Sequence, residues 1–262
     1  MTLPPTNILL DPTVLYAVSH SGGKDSQAQL IEVLKHVPAA QVAVFHADLG
    51  DIEWPGAKDL AQKQAEAAGV PFIVAHAVYK DGSPKSFLNK VEHQFARRPT
   101  APSFPSKNQR WCTGELKTQP LDREIRRYAT AHGFKTVVSC VGLRAAESDD
   151  RKAKAPWSHD AKKSIQARPW FEWLPIHSLE TLDVWCVIRG AGQHPHPAYD
   201  GNERLSCLFC IYGSKRDLAH AAKAHPDVFQ RYVEAEARTG YFLHMDRKPL
   251  TQLVAEAASL GA

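Results

Sequence analysis

Val18-Ser19-His20-Ser21-Gly22-Gly23-Lys24-Asp25-Ser26 is the stretch whose reading decides the fold. Before it, Val14 to Val18 is an apolar run of strand length; after it, Ser26 to His36 carries Leu30, Ile31 and Leu34 on one helical face. A glycine-rich turn from a buried strand into a helix is where a parallel sheet places its ligand. The two glycines let the backbone turn tightly and approach a ligand with no Cβ in the way. Loop amides and the positive end of the helix dipole favour an anion there. Lys24 adds a full charge, and Ser21 and Ser26 add hydroxyl donors. The plainer alternative is an ordinary strand-to-helix turn with a solvated lysine. The stretch is neither Gly-x-x-x-x-Gly-Lys-Ser/Thr nor Gly-x-Gly-x-x-Gly.

Outward from this turn, β-rich runs alternate with helical ones. Val42 to Phe45, Phe72 to Val74 and Thr136 to Val141 read as further strands; Trp54 to Ala68, Ser86 to Arg97 and Pro120 to His132 read as helices. Continuous apolar strands separated by helices predict an α/β fold, a parallel sheet of about five strands with helices on both faces. Arg144 to Arg168 is charged and predicts a mobile loop or an excursion over the site. Ser178 to Arg189 returns to helix, and Lys215 to Thr239 reads as one or two helices interrupted at Pro226. A soft boundary near residue 150 separates a nucleotide-binding part, 1–150, from a C-terminal helical and irregular part, 151–262, that carries cysteines and packs on the first.

Ser21-Gly22-Gly23-Lys24-Asp25-Ser26 resembles the PP-loop, Ser-Gly-Gly-x-Asp-Ser, of the ATP pyrophosphatase superfamily. The resemblance is to the phosphoadenosine phosphosulfate reductase-like branch, related to tRNA thiolation and DNA phosphorothioation enzymes, and it runs to about Asp217. It implies an adenine nucleotide α-hydrolase-like fold and a loop that holds the pyrophosphate of ATP·Mg²⁺ while AMP passes to a substrate oxygen. Under that resemblance the nucleotide-binding residues are Ser19, Ser21, Gly22, Gly23, Lys24, Asp25, Ser26, Asp48, Gly142 and Arg144, with Lys24, Asp25 and Arg144 catalytic. Asp48 ends Phe45-His46-Ala47-Asp48, beside a ribose hydroxyl or Mg²⁺; a surface carboxylate is the alternative. Gly142 and Arg144 follow the fourth strand, where Arg144 would neutralise phosphate charge. Glu147 and Arg151 extend that string, or belong to a solvated loop.

Five cysteines, Cys112, Cys140, Cys186, Cys207 and Cys210, are an odd number at wide, uneven spacing, unlike a disulfide framework, which makes the cytoplasm the expected compartment. Cys207-Leu208-Phe209-Cys210 suits a cluster, zinc or redox work. With Cys112 in Arg110-Trp111-Cys112-Thr113, the resemblance implies a [4Fe–4S] cluster on Cys112, Cys207 and Cys210, with Cys140 as a possible fourth ligand. The alternatives are zinc, with His194 and His196 as candidate ligands, a metal-free redox pair, or small buried residues. Cys140 and Cys186 otherwise read as core. The chain lacks the Glu-Cys-Gly-Leu-His segment and the adjacent Cys-Cys pair of true sulfonucleotide reductases, which argues against sulfate reduction.

Composition sets wider bounds. At 44% hydrophobic and 23% charged, this is an ordinary globular sequence. A net charge of +4 is compatible with a phosphate-bearing partner without requiring one. No apolar run approaches the roughly 20 residues of a membrane span, and Met1 to Leu10 does not read as a secretory signal. The expected activity is adenylylation of a substrate oxygen in support of sulfur insertion into a nucleic acid, with a cysteine desulfurase or another sulfur donor as partner. Alternatives are a sulfonucleotide reductase or sulfotransferase, and a nucleotide-binding subunit of a DNA-modification or defence complex. His20 reads as a phosphate contact or a spacer. Trp170-Phe171-Glu172-Trp173 reads as a strand packed on the core rather than a base-stacking platform.

Overall fold

The computed structural model describes residues 2–260. Its strands are β1 (Val14–Ser19), β2 (Val42–Asp48), β3 (Phe72–His76), β4 (Thr136–Cys140), β5 (Trp157–His159) and β6 (Trp170–Trp173). Its helices are α1 (Thr6–Leu9), α2 (Lys24–Leu34), α3 (Ala57–Ala67), α4 (Phe87–Arg97), α5 (Trp111–Thr113), α6 (Gln119–Ala131), α7 (Asp149–Lys152), α8 (Thr181–Gly190), α9 (Lys215–Ala224), α10 (Pro226–Thr239) and α11 (Leu250–Leu260).

The six strands form one sheet in the order β3-β2-β1-β4-β6-β5. β1 runs parallel to both β2 and β4, and β4 parallel to β6; β5 runs antiparallel to β6 at the edge. Alternation along β1 shows why helices cover both faces. Val14, Tyr16 and Val18 pack with Leu30 and Val33 of α2 and Ala65 of α3. Leu15 and Ala17 pack with Ile125 and Ala129 of α6. A strand buried on both faces must be apolar throughout, as Val14 to Val18 is.

The chain order passes from β1 outward to β2 and β3, then returns to place β4 on the other side of β1. The carboxyl ends of β1 and β4 therefore form the switch point where open parallel sheets bind ligands. Residues 19–26 and 141–144 leave from those two ends.

The α/β fold with a mostly parallel sheet is as expected; the sheet has six strands, one of them an antiparallel edge, and the charged run 144–168 includes α7 and β5. Aromatic contacts explain the edge strand. Trp157 stacks on Phe171 at 5.0 Å, and His159 lies 5.3 Å from the same ring. Such cross-strand pairs hold a short strand to its neighbour despite the charged residues around it.

Two compact units emerge: residues 1–46, 56–75 and 121–196 make the first, and 47–55, 76–120 and 197–262 the second. Neither is a continuous stretch, and residue 150 falls inside the first. The second has its own core, in which Phe87, Leu116, Phe209, Leu218, Tyr232 and Leu253 are buried together. No helix among the described residues is long and apolar enough to cross a membrane.

Candidate functional site

The phosphate loop belongs to the first unit. Ser19 ends β1, and the next amide, His20 N–H, still donates to Phe45 O at 2.9 Å, so the chain leaves the sheet in register with β2. It then turns at Gly22, whose φ of +75° is left-handed. A Cβ at Gly22 would lie 2.4 Å from Ala57 O, so the position needs glycine for its conformation and also for close approach to α3. Gly23 stands at the N-cap of α2 and makes no side-chain cap. A helix start of this kind offers amides and dipole to an anion.

Hydroxyls fix the loop from inside. Ser26 Oγ donates to Gly23 O at 2.8 Å and accepts from Ser21 N–H at 3.2 Å, while Ser21 Oγ lies 3.4 Å from it. His20 is buried, with its Nδ1 accepting from Gly22 N–H at 3.1 Å. The ring therefore turns into the protein, away from the mouth where a phosphate contact would need it.

The cations are arranged around one carboxylate. Lys24 Nζ lies 3.1 Å from Asp25 Oδ2, and Arg144 Nε donates to Asp25 Oδ1 at 2.6 Å. Arg144 also donates through Nη1 to Thr181 Oγ1 at 3.2 Å and Leu179 O at 3.4 Å, at the start of α8. Both cations are nearly buried, at 5% exposure for Lys24 and 4% for Arg144. Two cations meet at one carboxylate here, a grouping that suits a phosphate better than a neutral ligand. Gly142 presses against the same helix: a Cβ there would stand 2.8 Å from Gln29 Oε1 and 3.2 Å from the Asp25 carbonyl.

The structure thus brings Ser21, Gly22, Gly23, Lys24, Asp25, Ser26, Gly142 and Arg144 together. Glu147 accepts from the Arg144 backbone N–H at 3.2 Å and pairs with Arg151, so those two brace the Arg144 turn. Asp48 lies in the second unit. Its Oδ1 accepts from Gly50 N–H at 2.8 Å, and its Oδ2 is 3.9 Å from His76 Nδ1. In the structure it closes the turn after β2.

Cys112, Cys207 and Cys210 also lie in the second unit, near enough for charge on one to act on another. Burial pushes the Cys207 and Cys112 thiols up, and Lys117 beside Cys207 opposes that rise. Lys117 is itself raised, chiefly by Cys207 and after it by Cys210, Glu53 and Cys112. This lysine, given no role in the sequence reading, sits in one wide turn, Gly114–Thr118, just after Cys112. Wide turns of this kind recur at functional sites.

The thiols are neighbours but not a closed ligand set. Among the described residues, no group of three or more His, Cys, Asp or Glu is gathered to hold a metal ion. As they stand, the three thiols do not fit a cluster, and His194 and His196 lie in the first unit. Cys140 is buried in β4 of the first unit, and burial holds its thiol well above the ordinary range. Cys186 is exposed, contrary to its reading as core, because α8 buries Val184 and Ile188 and turns Leu182 to solvent. Trp170 and Trp173 are both buried, in keeping with a strand on the core.

Comparison with known proteins adds a family. The model of the phosphoadenosine phosphosulfate reductase domain matches residues 15–212. An uncharacterized protein of Methanocaldococcus jannaschii is 26% identical over 229 residues, covering 86% of this chain and 49% of that protein. The chain spans about half or less of the length of the curated relatives it matches. Among solved structures, phosphoadenylyl-sulfate reductase from Candida auris superposes with a TM-score of 0.45 at 16% identity, covering 76% of this chain and 83% of that one. The U34-tRNA thiolase of Methanococcus maripaludis, solved with its [4Fe–4S] cluster, gives 0.42 at 13% identity, covering 98% and 75%.

Proposed function

Because the chain belongs to the phosphoadenosine phosphosulfate reductase domain family, we propose that it is an enzyme that binds ATP·Mg²⁺ at residues 21–26 and transfers AMP to an oxygen of its substrate. The observation that carries this reading is the Asp25 carboxylate. It orders Lys24 and Arg144, one from each side of the sheet's switch point, beside an uncapped helix start.

In the proposed reaction an acceptor oxygen attacks the α-phosphorus and forms the new O–P bond. The bond from that phosphorus to the bridging oxygen breaks, and pyrophosphate leaves with the electron pair. The acceptor's proton passes to solvent. Negative charge grows on the phosphoryl oxygens as this happens, and Lys24 and Arg144 are already held in place to meet it, so little reorganisation is needed. Asp25 is a positioning group for both cations, and Gly22 and Gly142 keep the backbone close enough for them to act.

The acceptor is proposed to be a nucleic-acid base or backbone activated for sulfur insertion, in line with the resemblance to thiolation enzymes. The sulfur would come from a separate donor. Cys112, Cys207 and Cys210 are the residues a metal would have to draw together. Iron, sulfide and zinc analysis of protein purified without oxygen decides between cluster, zinc and free thiols.

The family match favours a second reading, in which the same loop holds the phosphates of a sulfonucleotide. Incubation with α-labelled ATP on one side and labelled phosphoadenylyl sulfate on the other separates the two. The first reading expects AMP and pyrophosphate from ATP, lost by at least about a hundredfold in Lys24→Ala. Turnover of the sulfonucleotide with ATP left intact would replace it with the second.

A further inference from the structure

Beneath the phosphate loop, five side-chain atoms are buried without a hydrogen-bond partner: His20 Nε2, Gln27 Oε1, Gln64 Oε1 and both amide atoms of Gln29. Three of these residues, His20, Gln27 and Gln64, belong to one connected system. Gln27 Nε2 donates to Gln193 Oε1 at 3.0 Å and to His194 O at 3.1 Å, and Gln64 Nε2 donates to the same Gln193 Oε1 at 3.2 Å. Gln64 is also the side chain whose hydrogen bonding reaches the His20 ring. All of them lie in the first unit.

The chemistry of the His20 ring follows from one contact. A backbone N–H can only donate, so the Gly22 amide at 3.1 Å requires an unprotonated Nδ1. The neutral ring then carries its proton on Nε2. That N–H is buried and needs an acceptor, and Gln64 Oε1 is a buried acceptor without one. On the other side, His46 Nδ1 donates to the His20 carbonyl at 2.8 Å, which fixes the backbone just ahead of the loop. Burial pulls the His20 ring down to about 3, so it stays neutral at physiological pH.

We propose that His20, as its Nε2–H tautomer, is a positioning residue for the nucleotide's phosphates: it holds the Gly22 amide inside the loop and ties the loop to the Gln64–Gln193–Gln27 amide relay. The role rests on the reading of residues 21–26 as the phosphate site. Gly22 turns with a positive φ against Ala57, so its amide direction sets which neighbouring amides face outward. His20 never touches the nucleotide. The relay extends its hold from α2 and α3 to residues 193 and 194, beyond the end of α8.

Two substitutions divide the ring's two jobs. In His20→Asn the amide oxygen falls where Nδ1 was and still accepts from Gly22. In His20→Gln the amide nitrogen falls where Nε2 was, and the Gly22 acceptor is gone. ATP·Mg²⁺ and inorganic pyrophosphate binding are measured by titration calorimetry on the full chain, with nitrogen-15 spectra of the His20 ring and hydrogen exchange at the Gly22 amide.

The expected result is an Nε2–H ring in the wild type. His20→Asn keeps Gly22 protection and affinity within about threefold, while His20→Gln loses Gly22 protection and at least about tenfold in both affinities, the worth of one hydrogen bond. Gln64→Leu falls between them. An Nδ1–H ring, or a His20→Gln variant that binds both ligands as the wild type does, overturns the proposal. If the wild type binds neither ATP nor pyrophosphate, the phosphate-site reading fails and the positioning role falls with it, a result distinct from binding that ignores residue 20.

Discussion

Arg144 donates through Nε to Asp25 Oδ1 at 2.6 Å across 119 residues of chain, and the same carboxylate holds Lys24 through its other oxygen. The first carboxylate of α2 thereby joins the turn after β1 to the turn after β4. The Arg144 side chain is only 5% exposed, so removing its anion strands a buried guanidinium with Thr181 Oγ1 and Leu179 O. Breaking a buried pair costs about 3–5 kcal/mol, and Asp25 is roughly a quarter exposed. We expect Asp25→Ala to lower stability by about 2 kcal/mol, read from urea midpoints. Asp25→Ala with Arg144→Met should recover part of that loss; a double variant no more stable than either single one would show that the pair does not act as a unit.

Gly22 and Gly69 give a matched comparison. Both have positive φ, +75° and +67°, but a Cβ at Gly69 meets nothing within 4 Å, whereas one at Gly22 lies 2.4 Å from a backbone oxygen. The left-handed conformation alone costs an L-residue about 1 kcal/mol. Gly69→Ala should therefore cost about that much and leave nucleotide affinity unchanged. Gly22→Ala should cost about 2 kcal/mol or more and weaken ATP binding at least about tenfold. Equal melting shifts for the two would show that α3 yields to the new methyl.

Which parts of this arrangement were legible in the sequence follows from distance along the chain. The loop was readable because its glycines, lysine and serines are contiguous and sit between an apolar run and a helical one. The sheet was readable for the same reason in β1, β2, β3 and β4. Asp25 as the shared partner of two cations was not, because nothing at position 25 points to position 144. His20 was read as facing a ligand or as a spacer; only the position of the Gly22 amide shows that it turns inward. β5 was hidden in a charged run whose two aromatic anchors act through Phe171. Cys186 misled because three apolar neighbours look alike whichever side of α8 is buried. Lys117 was given no role, since nothing along the chain places its charge beside Cys207.

Glu236 is another residue that sequence did not mark. It is buried in α10, and its carboxylate accepts from the Leu243 and Leu250 amides, each at 2.9 Å, which fastens the start of α11. Burial raises its pKa, and the two amides oppose the rise. Glu236→Ala would leave two buried N–H groups unpaired at about 1–3 kcal/mol each. We expect a loss of about 2–4 kcal/mol, with faster hydrogen exchange at Leu243, Leu250 and through α11. Unchanged exchange in α11 would mean that Leu250 and Leu253 dock that helix by apolar packing alone.

His20 also imposes a pH dependence whose sign can be worked out. Its folded value, about 3, lies below the 6.5 of an unperturbed histidine, chiefly through burial, with His46 lowering it further. Above pH 6.5 neither state binds the proton and the residue contributes no slope. Between 6.5 and 3 the unfolded chain takes up a proton that the folded ring refuses, so stability falls as pH falls, by up to about 1.4 kcal/mol per unit. Below about 3 both states are protonated and the slope ends. His20→Asn has no such group and keeps His46 in place. Relative to its value at pH 7.5, the stability of the wild type should therefore drop by up to about 2 kcal/mol more than that of His20→Asn at pH 5.0, measured by urea unfolding. Parallel curves for the two proteins would mean that the His20 ring titrates in the folded chain as it does in water, and that the Gly22 amide is not tied to it.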